Sequence, residues 1–276
     1  MLDDSSNRLI WIAVGLALIF GIFETYNGTI PKILESVTST TQASIPVEHT
    51  AYAKSADGKD DFTTVYPNLN LLSNSLFTDP IKTTTDSNSA FYGSPSNVMG
   101  SEYAPSTSYN DLTISSLYVA GLKLPIGVYT SSITIANNSE TVAKVEFILM
   151  AGTADTSINP SVNGVNVSWE TAFSNPRVTI DVPANSNARY TFTFTAKSTN
   201  NTGGGSTVQF LIFREKTVIP VTRYSKPKLE PGSTATPWMP SASEVQDSDY
   251  PTYVGTYTDH NQSASNDPTK YSWKKR

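Results

Sequence analysis

The sequence predicts a mainly β chain: an antiparallel β-sandwich of the jelly-roll type, with a small flanking β module and one N-terminal α-helix. The apolar runs between residues 128 and 224 are rich in Val, Ile, Thr, Phe and Tyr, which favour strands. Several of these runs alternate apolar with polar residues, and no helical period lies between them. One uninterrupted apolar run, at residues 9–23, predicts the helix.

The apolar run LIWIAVGLALIFGIF at 9–23 lies within a predicted helical segment at 1–36. A polar stalk at 37–46 follows this segment. As a helix the run spans about 22 Å, less than the ~30 Å of a hydrocarbon core. Its leading residues MLDDSSNR lack the positive charge of a signal peptide. We interpret it as a single-pass membrane anchor that holds the polar domain outside the cell. A cleaved signal peptide and a helix that packs in an assembly remain open.

Strand predictions follow the alternation along the chain. VYTSSITI at 128–135 and the run 142–150 flank the turn Asn137-Asn138-Ser139 and predict a hairpin. Further strands are predicted at 162–169, 177–182, 188–195, 207–213 and 218–224. The polar stretch 78–110 is predicted to be a long loop.

Composition excludes several classes of function. The chain of 276 residues carries a net charge of −5 and has no basic run, which argues against nucleic-acid binding. It has no cysteine, which excludes thiolate catalysis and Cys-based zinc sites. Its two histidines, His49 and His260, stand in no hydrolase or zinc-protease motif. We therefore predict a protein that is not an enzyme.

Two segments carry a resemblance to a known family. NLLSNS at 70–75 and SKPKLEPGSTATPW at 225–238 resemble the opening and closing motifs of carbohydrate-binding-module-like jelly rolls. These domains occur in phage tail and minor structural proteins of lactic acid bacteria and streptococci. The resemblance covers about residues 46–276 and implies a jelly-roll domain at 67–241, whose first strand begins at the opening motif and whose last ends at the closing motif.

The flanks resemble two halves of a small β module found in the same tail proteins. The resemblance implies a first half at 47–66 and a second half at 242–276, with the jelly roll inserted between them. We predict that the strand around 50–53 pairs with 253–257 or with 271–274.

A glycan would be bound by an exposed aromatic face against a pyranose, with polar side chains on its hydroxyls. The candidates for this role are Phe91, Tyr92, Tyr103, Tyr109, Trp169 and Arg177. The resemblance further implies a structural Ca²⁺ held by oxygens of the first and last strands, for which Asn74 and Glu230 are the candidates.

Together these features predict a non-enzymatic adhesion protein, membrane-anchored on the outer face of a Gram-positive cell, that binds a cell-wall or host glycan. The alternative is a structural subunit of a virion or surface filament. Its N-terminal helix would pack in the core of a homo-oligomer or filament, and its β domain would decorate the exterior.

Overall fold

The computed structural model describes residues 45–79, 81, 91–92, 98–105, 116–122, 124–150, 154–170, 175–196, 209–216 and 219–276. Within these residues the chain forms fifteen strands and two single-turn 3-10 helices, Asp247–Asp249 and Pro268–Lys270. The predicted helix at 1–36 lies outside the described residues. Among the described residues, no helix has the length and apolar character needed to span a membrane.

The strands form three antiparallel sheets. In chain order they are β1 (Val47–Ala53), β2 (Phe91–Tyr92), β3 (Val98–Met99), β4 (Glu102–Tyr103), β5 (Ser116–Leu122), β6 (Gly127–Asn137), β7 (Ala143–Met150), β8 (Ser161–Val162), β9 (Val165–Asn166), β10 (Arg177–Val182), β11 (Ser186–Ala196), β12 (Gln209–Glu215), β13 (Thr222–Pro231), β14 (Tyr253–Asp259) and β15 (Ser272–Lys275). The described strands pair in the orders β1-β14-β15, β10-β7-β12-β5-β2 and β3-β4-β13-β6-β11-β8-β9.

The five- and seven-stranded sheets pack face to face as a β-sandwich, which confirms the mainly β, antiparallel prediction. Alternate residues of β11 point into the core, as the period of two requires. Phe192 of β11 stacks on Phe147 of β7, with ring centroids 5.2 Å apart. Phe213 of β12 meets Tyr224 of β13 at 6.3 Å. These two contacts join the sheets through fully buried aromatic rings.

The predicted hairpin between 128–135 and 142–150 is wrong, because β6 and β7 lie in different sheets. Asn137, fully buried, fixes the connection between them. Its Nδ2 donates to the carbonyl oxygens of Thr141 (2.8 Å), Val182 (3.1 Å) and Pro183 (3.1 Å). From β5 to β13 the chain alternates between the two sheets, so that the β6–β7 and β10–β11 connections both cross the sandwich and meet at Asn137.

Other strand predictions hold to different degrees. β10 has the predicted bounds, whereas only the two-residue strands β8 and β9 overlap the predicted strand at 162–169. The last sandwich strand begins at Thr222 instead of 218 and runs into the closing motif. The predicted loop 78–110 contains the short strands β2, β3 and β4.

The third sheet joins the two ends of the described chain. β1 pairs with β14, with Thr50 opposite Thr256 and Ala53 opposite Tyr253, which confirms the first of the two predicted pairings. β15 pairs with the other edge of β14. All the sandwich strands therefore lie between β1 and β14 in sequence.

Candidate functional site

The opening and closing motifs are joined through the side chain of Asn70. This buried amide donates from Nδ2 to the carbonyl oxygen of Pro227 (2.8 Å). Its Oδ1 accepts the backbone N–H groups of Leu229 (2.9 Å) and Leu72 (3.0 Å). The opening motif forms only a single parallel bridge, Asn70 to Ser241, so it does not begin a ladder strand as the resemblance implied. The bonds of the Asn70 side chain add to two backbone bonds, from Asn70 N–H to the Pro240 carbonyl (3.0 Å) and from Leu71 N–H to the Leu229 carbonyl (2.8 Å).

The closing motif folds around a buried ion pair. Lys228 and Glu230 are both fully buried, with Nζ 3.1 Å from Oε2. Lys228 also donates to Oγ1 of Thr236 (2.6 Å) and to the carbonyl oxygen of Pro237 (2.7 Å). Burial lowers the pKa of Lys228 to about 8, although Glu230 acts to raise it.

The predicted Ca²⁺ ligands do not fit a calcium ion. The Glu230 carboxylate already accepts from Thr236 (N–H, 2.9 Å; Oγ1, 2.5 Å), from Asn68 Nδ2 (3.2 Å) and from the Lys228 ammonium. Asn74 Oδ1 accepts the backbone N–H of Asp79 (2.8 Å). A carboxylate neutralised by an ammonium and saturated with donors has no oxygen free for a cation. Among the described residues, no three His, Asp or Glu side chains cluster as a metal site.

Three of the predicted sugar-stacking rings belong to the core. The exposed fractions are 1% for Phe91, 0% for Tyr103 and 7% for Trp169. Phe91 packs edge-on to Phe77 at 5.2 Å. Trp169 packs edge-on to Phe192, and its indole N–H donates to the carbonyl oxygen of Ile158 (2.9 Å). The expectation that these rings offer an exposed face is therefore not met, because the core covers them.

Arg177 is likewise committed to the interior. It is 7% exposed, and its Nη1 lies 3.5 Å from Oε1 of the fully buried Glu146. Arg214 donates to the other Glu146 oxygen from Nε (2.8 Å) and Nη2 (2.7 Å). Arg177 was expected to bind a ligand hydroxyl. In this structure its guanidinium instead compensates the charge of the buried Glu146 carboxylate. The side chain of Tyr92 and the whole of Tyr109 lie outside the described residues.

A cavity of about 410 Å³ lies among the segments that lead out of the opening and closing motifs. Three segments form it: residues 75–78 at the end of the opening motif, residues 238–240 at the end of the closing motif, and residues 244–249, which lead to β14. Its walls include an indole and several polar side chains, namely Ser75, Thr78, Trp238, Glu244, Gln246 and Asp249. Its volume is in the range of small-ligand pockets, about 300–1,000 Å³.

Two polar atoms on residues of this cavity are buried without a hydrogen-bond partner, Ser75 Oγ and Trp238 Nε1. The two carboxylates differ in their bonding. Glu244 accepts the Asn74 N–H (2.7 Å) and the Ser241 hydroxyl (2.6 Å). Asp249 accepts the Gln246 N–H through Oδ2 (2.8 Å).

Sequence reasoning did not select these residues as a site. They come from segments far apart in sequence, and only the folded chain brings them together. Trp238 stands inside the closing motif, where a packing role accounts for an aromatic equally well. The available signal was the run of Glu244, Gln246 and Asp249 directly after that motif, which has no apolar pattern of its own.

Comparison with solved structures finds a phage protein. The chain is 28% identical to the tripod (BppUct-A-L) from the baseplate of bacteriophage Tuc2009, over 84% of this chain and 79% of that one, with a TM-score of 0.51. Two weaker matches have TM-scores of 0.35: a structure described as "CBM4 structure and function" (12% identical, 58% of this chain, 99% of that one) and a candidate sugar-binding protein from Bacteroides thetaiotaomicron (10% identical, 59% of this chain, 100% of that one). Similarity at these TM-scores supports no conclusion about this chain. No family model matches the chain, and no curated protein matches it.

Proposed function

We propose that this chain is a non-enzymatic structural component of a phage-type baseplate, with its β domains on the outside of the assembly. The observation that carries the proposal is the similarity to the Tuc2009 baseplate tripod, which extends over 84% of the chain at 28% identity. The match covers most of both chains, so it involves more than one shared sandwich.

The architecture supports this role. The two segments that bracket the sandwich are bonded to each other through Asn70, and β1 pairs with β14 beyond them. Both ends of the inserted sandwich therefore return to the small sheet. Such a closed unit suits a rigid block in an assembly, and the alternation of the chain between sheets supports the predicted jelly roll.

The proposal is tested by following the chain during particle purification. Particles released from cells that encode it are banded on a density gradient, and the bands and cell membranes are analysed by mass spectrometry. We expect the chain at a fixed ratio to other tail proteins. A chain found in membranes and absent from the particles would overturn the proposal and favour the membrane-anchored adhesin.

Glycan binding is the second candidate function, and one observation favours it. The Trp238 cavity combines an indole with carboxylates, an amide and hydroxyls, which is the chemistry that recognises sugar rings. The two functions are compatible, because a baseplate component can carry a receptor-binding site. Each is measured separately, one on particles and one on the isolated chain.

A further inference from the structure

We propose that the side chains of Lys228 and Asn68 become joined by an intramolecular amide bond, with Glu230 as the general base. Lys228 and Glu230 lie on β13, and Asn68 stands two residues before the opening motif. The bond would therefore close the two ends of the inserted sandwich covalently. The proposal concerns the chain itself and does not depend on the baseplate role.

The nitrogen atoms of both partners converge on a single carboxylate oxygen. Glu230 Oε2 lies 3.1 Å from Lys228 Nζ and 3.2 Å from Asn68 Nδ2. The Thr236 hydroxyl is a second shared group, because it accepts from Lys228 Nζ (2.6 Å) and from the Asn68 backbone N–H (3.1 Å). The two side chains are thus held at one place before any bond forms, which gives an intramolecular reaction a high effective concentration.

The Lys228 amine is prepared to act as a nucleophile. An ammonium group has no lone pair, so an ordinary lysine is almost inert at neutral pH. Burial lowers the pKa of Lys228 to about 8, which raises its neutral fraction at pH 7 by more than about a hundredfold. Thr236 Oγ1 and the Pro237 carbonyl oxygen (2.7 Å) accept two of its three protons. The third lies toward Glu230, within the hydrogen-bond distance that a general base requires.

The reaction balances without a co-reactant. Glu230 takes the third proton from Nζ, and the lone pair that this leaves attacks Cγ of Asn68. The Nζ–Cγ bond forms and the Cγ–Nδ2 bond breaks, while Nδ2 receives a second proton from Nζ and leaves as ammonia. Glu230 passes the first proton to this ammonia, which departs as ammonium and regenerates the carboxylate. The partly buried position of Asn68 gives the ammonium a route to solvent.

The product retains compensation for the Glu230 carboxylate. Thr236 still donates to it from its backbone N–H (2.9 Å) and from its hydroxyl (2.5 Å). Arg189 is a second nearby cation: burial lowers the pKa of Arg189, and the charge of Glu230 acts to raise it. Glu230 therefore does not become an isolated buried anion when the Lys228 charge is lost, a change that would otherwise be costly.

Intact-mass spectrometry of the denatured full chain tests the proposal. Most of Lys228 is protonated at pH 7, so newly folded chain still carries the free, titratable amine. The mass is therefore measured before and after the folded chain is incubated at pH 9. We expect a species lighter than the sequence mass by one ammonia, which increases during incubation. After tryptic digestion, tandem mass spectrometry should find a branched peptide that joins Asn68 to Lys228.

Two variants each remove one partner. Asn68→Ala and Lys228→Arg should both abolish the branched peptide. Asn68→Ala, at a partly buried position, keeps the test valid if Lys228→Arg unfolds. The control is Asn163→Ala, because Asn163 is exposed and precedes Gly164, and a succinimide at such a pair also releases ammonia. This control should retain the branched peptide.

Three results would overturn the proposal. The first is a wild-type chain that keeps its full mass before and after incubation. The second is a loss of ammonia without a peptide that joins Asn68 to Lys228, as a succinimide would give. The third is a branched peptide of unchanged yield in Asn68→Ala, which would assign the bond to another residue.

Discussion

At the scale of single residues, the stability of the sandwich depends on charged side chains that are buried in its interior. Glu146 is fully buried and is compensated by Arg177 and Arg214. Removing one member of such a cluster leaves uncompensated charge in the interior, which costs about 3–5 kcal/mol. We therefore expect Glu146→Gln to lower the free energy of unfolding by about 3 kcal/mol in urea denaturation. Glu140→Gln, at an exposed position, is the control and should change it by less than about 0.5 kcal/mol.

Lys228 should make stability depend on pH. Its pKa is about 8 in the folded chain and about 10.4 in an unfolded one. Between these values the unfolded state binds more protons, so the Lys228 contribution to the free energy of unfolding rises with pH, and below pH 8 it is flat. From pH 7.5 to 9.5 we expect wild type to gain about 2 kcal/mol relative to Lys228→Met in urea denaturation. A constant difference between the two proteins would contradict the lowered pKa.

The residue scale is also where sequence reasoning is weakest. Phe91, Tyr103 and Trp169 are aromatic residues whose neighbours give no sign of which face of the sheet they occupy. Burial is decided by the opposite sheet, through contacts such as Trp169 on Phe192, and these contacts are not local in sequence. The ion pair of Arg177 depends in the same way on Glu146, a residue on another strand.

At the scale of elements, the sequence pattern does not predict which of the two sheets each strand joins. The alternation of 128–135 and 142–150 predicts two strands correctly, and the short turn between them favours a hairpin. The buried Asn137 instead ties this connection to the one after β10. Strand existence is a local property, whereas the choice of partner strand is not.

Asn137→Ala tests this account of the crossing. The change leaves the carbonyl oxygens of Thr141, Val182 and Pro183 without their common donor. The Thr141 and Pro183 carbonyls keep the Ser139 and Ser186 hydroxyls as donors, whereas the buried Val182 carbonyl loses its side-chain donor. A buried unpaired group costs about 1–3 kcal/mol, so we expect a loss of at least about 1 kcal/mol in the free energy of unfolding. Asn138→Ala, at the exposed neighbouring position, should be close to neutral. Equal effects of the two variants would show that Asn137 does not hold the connections.

The three-stranded sheet depends on a close approach between Gly58 and Trp273. A Cβ at Gly58, where φ is +76°, would lie 2.1 Å from the indole. Gly164 has nearly the same φ, +78°, and open space around it. Gly164→Ala should therefore show only the backbone cost, about 1–2 kcal/mol. We expect Gly58→Ala to lower the unfolding midpoint further and to shift the Trp fluorescence. Identical effects would contradict the packing of Trp273 on Gly58.

At the scale of the whole molecule, the motifs at 70–75 and 225–238 were the most informative part of the sequence. They indicated a β-sandwich, while the flanks at 47–66 and 242–276 indicated a small sheet built from both sides of it. The pairing of β1 with β14 confirms that these flanks pair with each other. The role of residues 9–23 stays a prediction, since these residues lie outside the described chain. The Trp238 cavity could not be predicted, because it exists only where three distant segments meet.

Gold-labelled antibodies in electron microscopy of purified particles would show whether the chain is a component of a baseplate. The antibodies are raised against residues 45–276. We expect gold at the tail end of intact particles and no labelling of particles that lack the gene. Gold on cell membranes with unlabelled tails would contradict it.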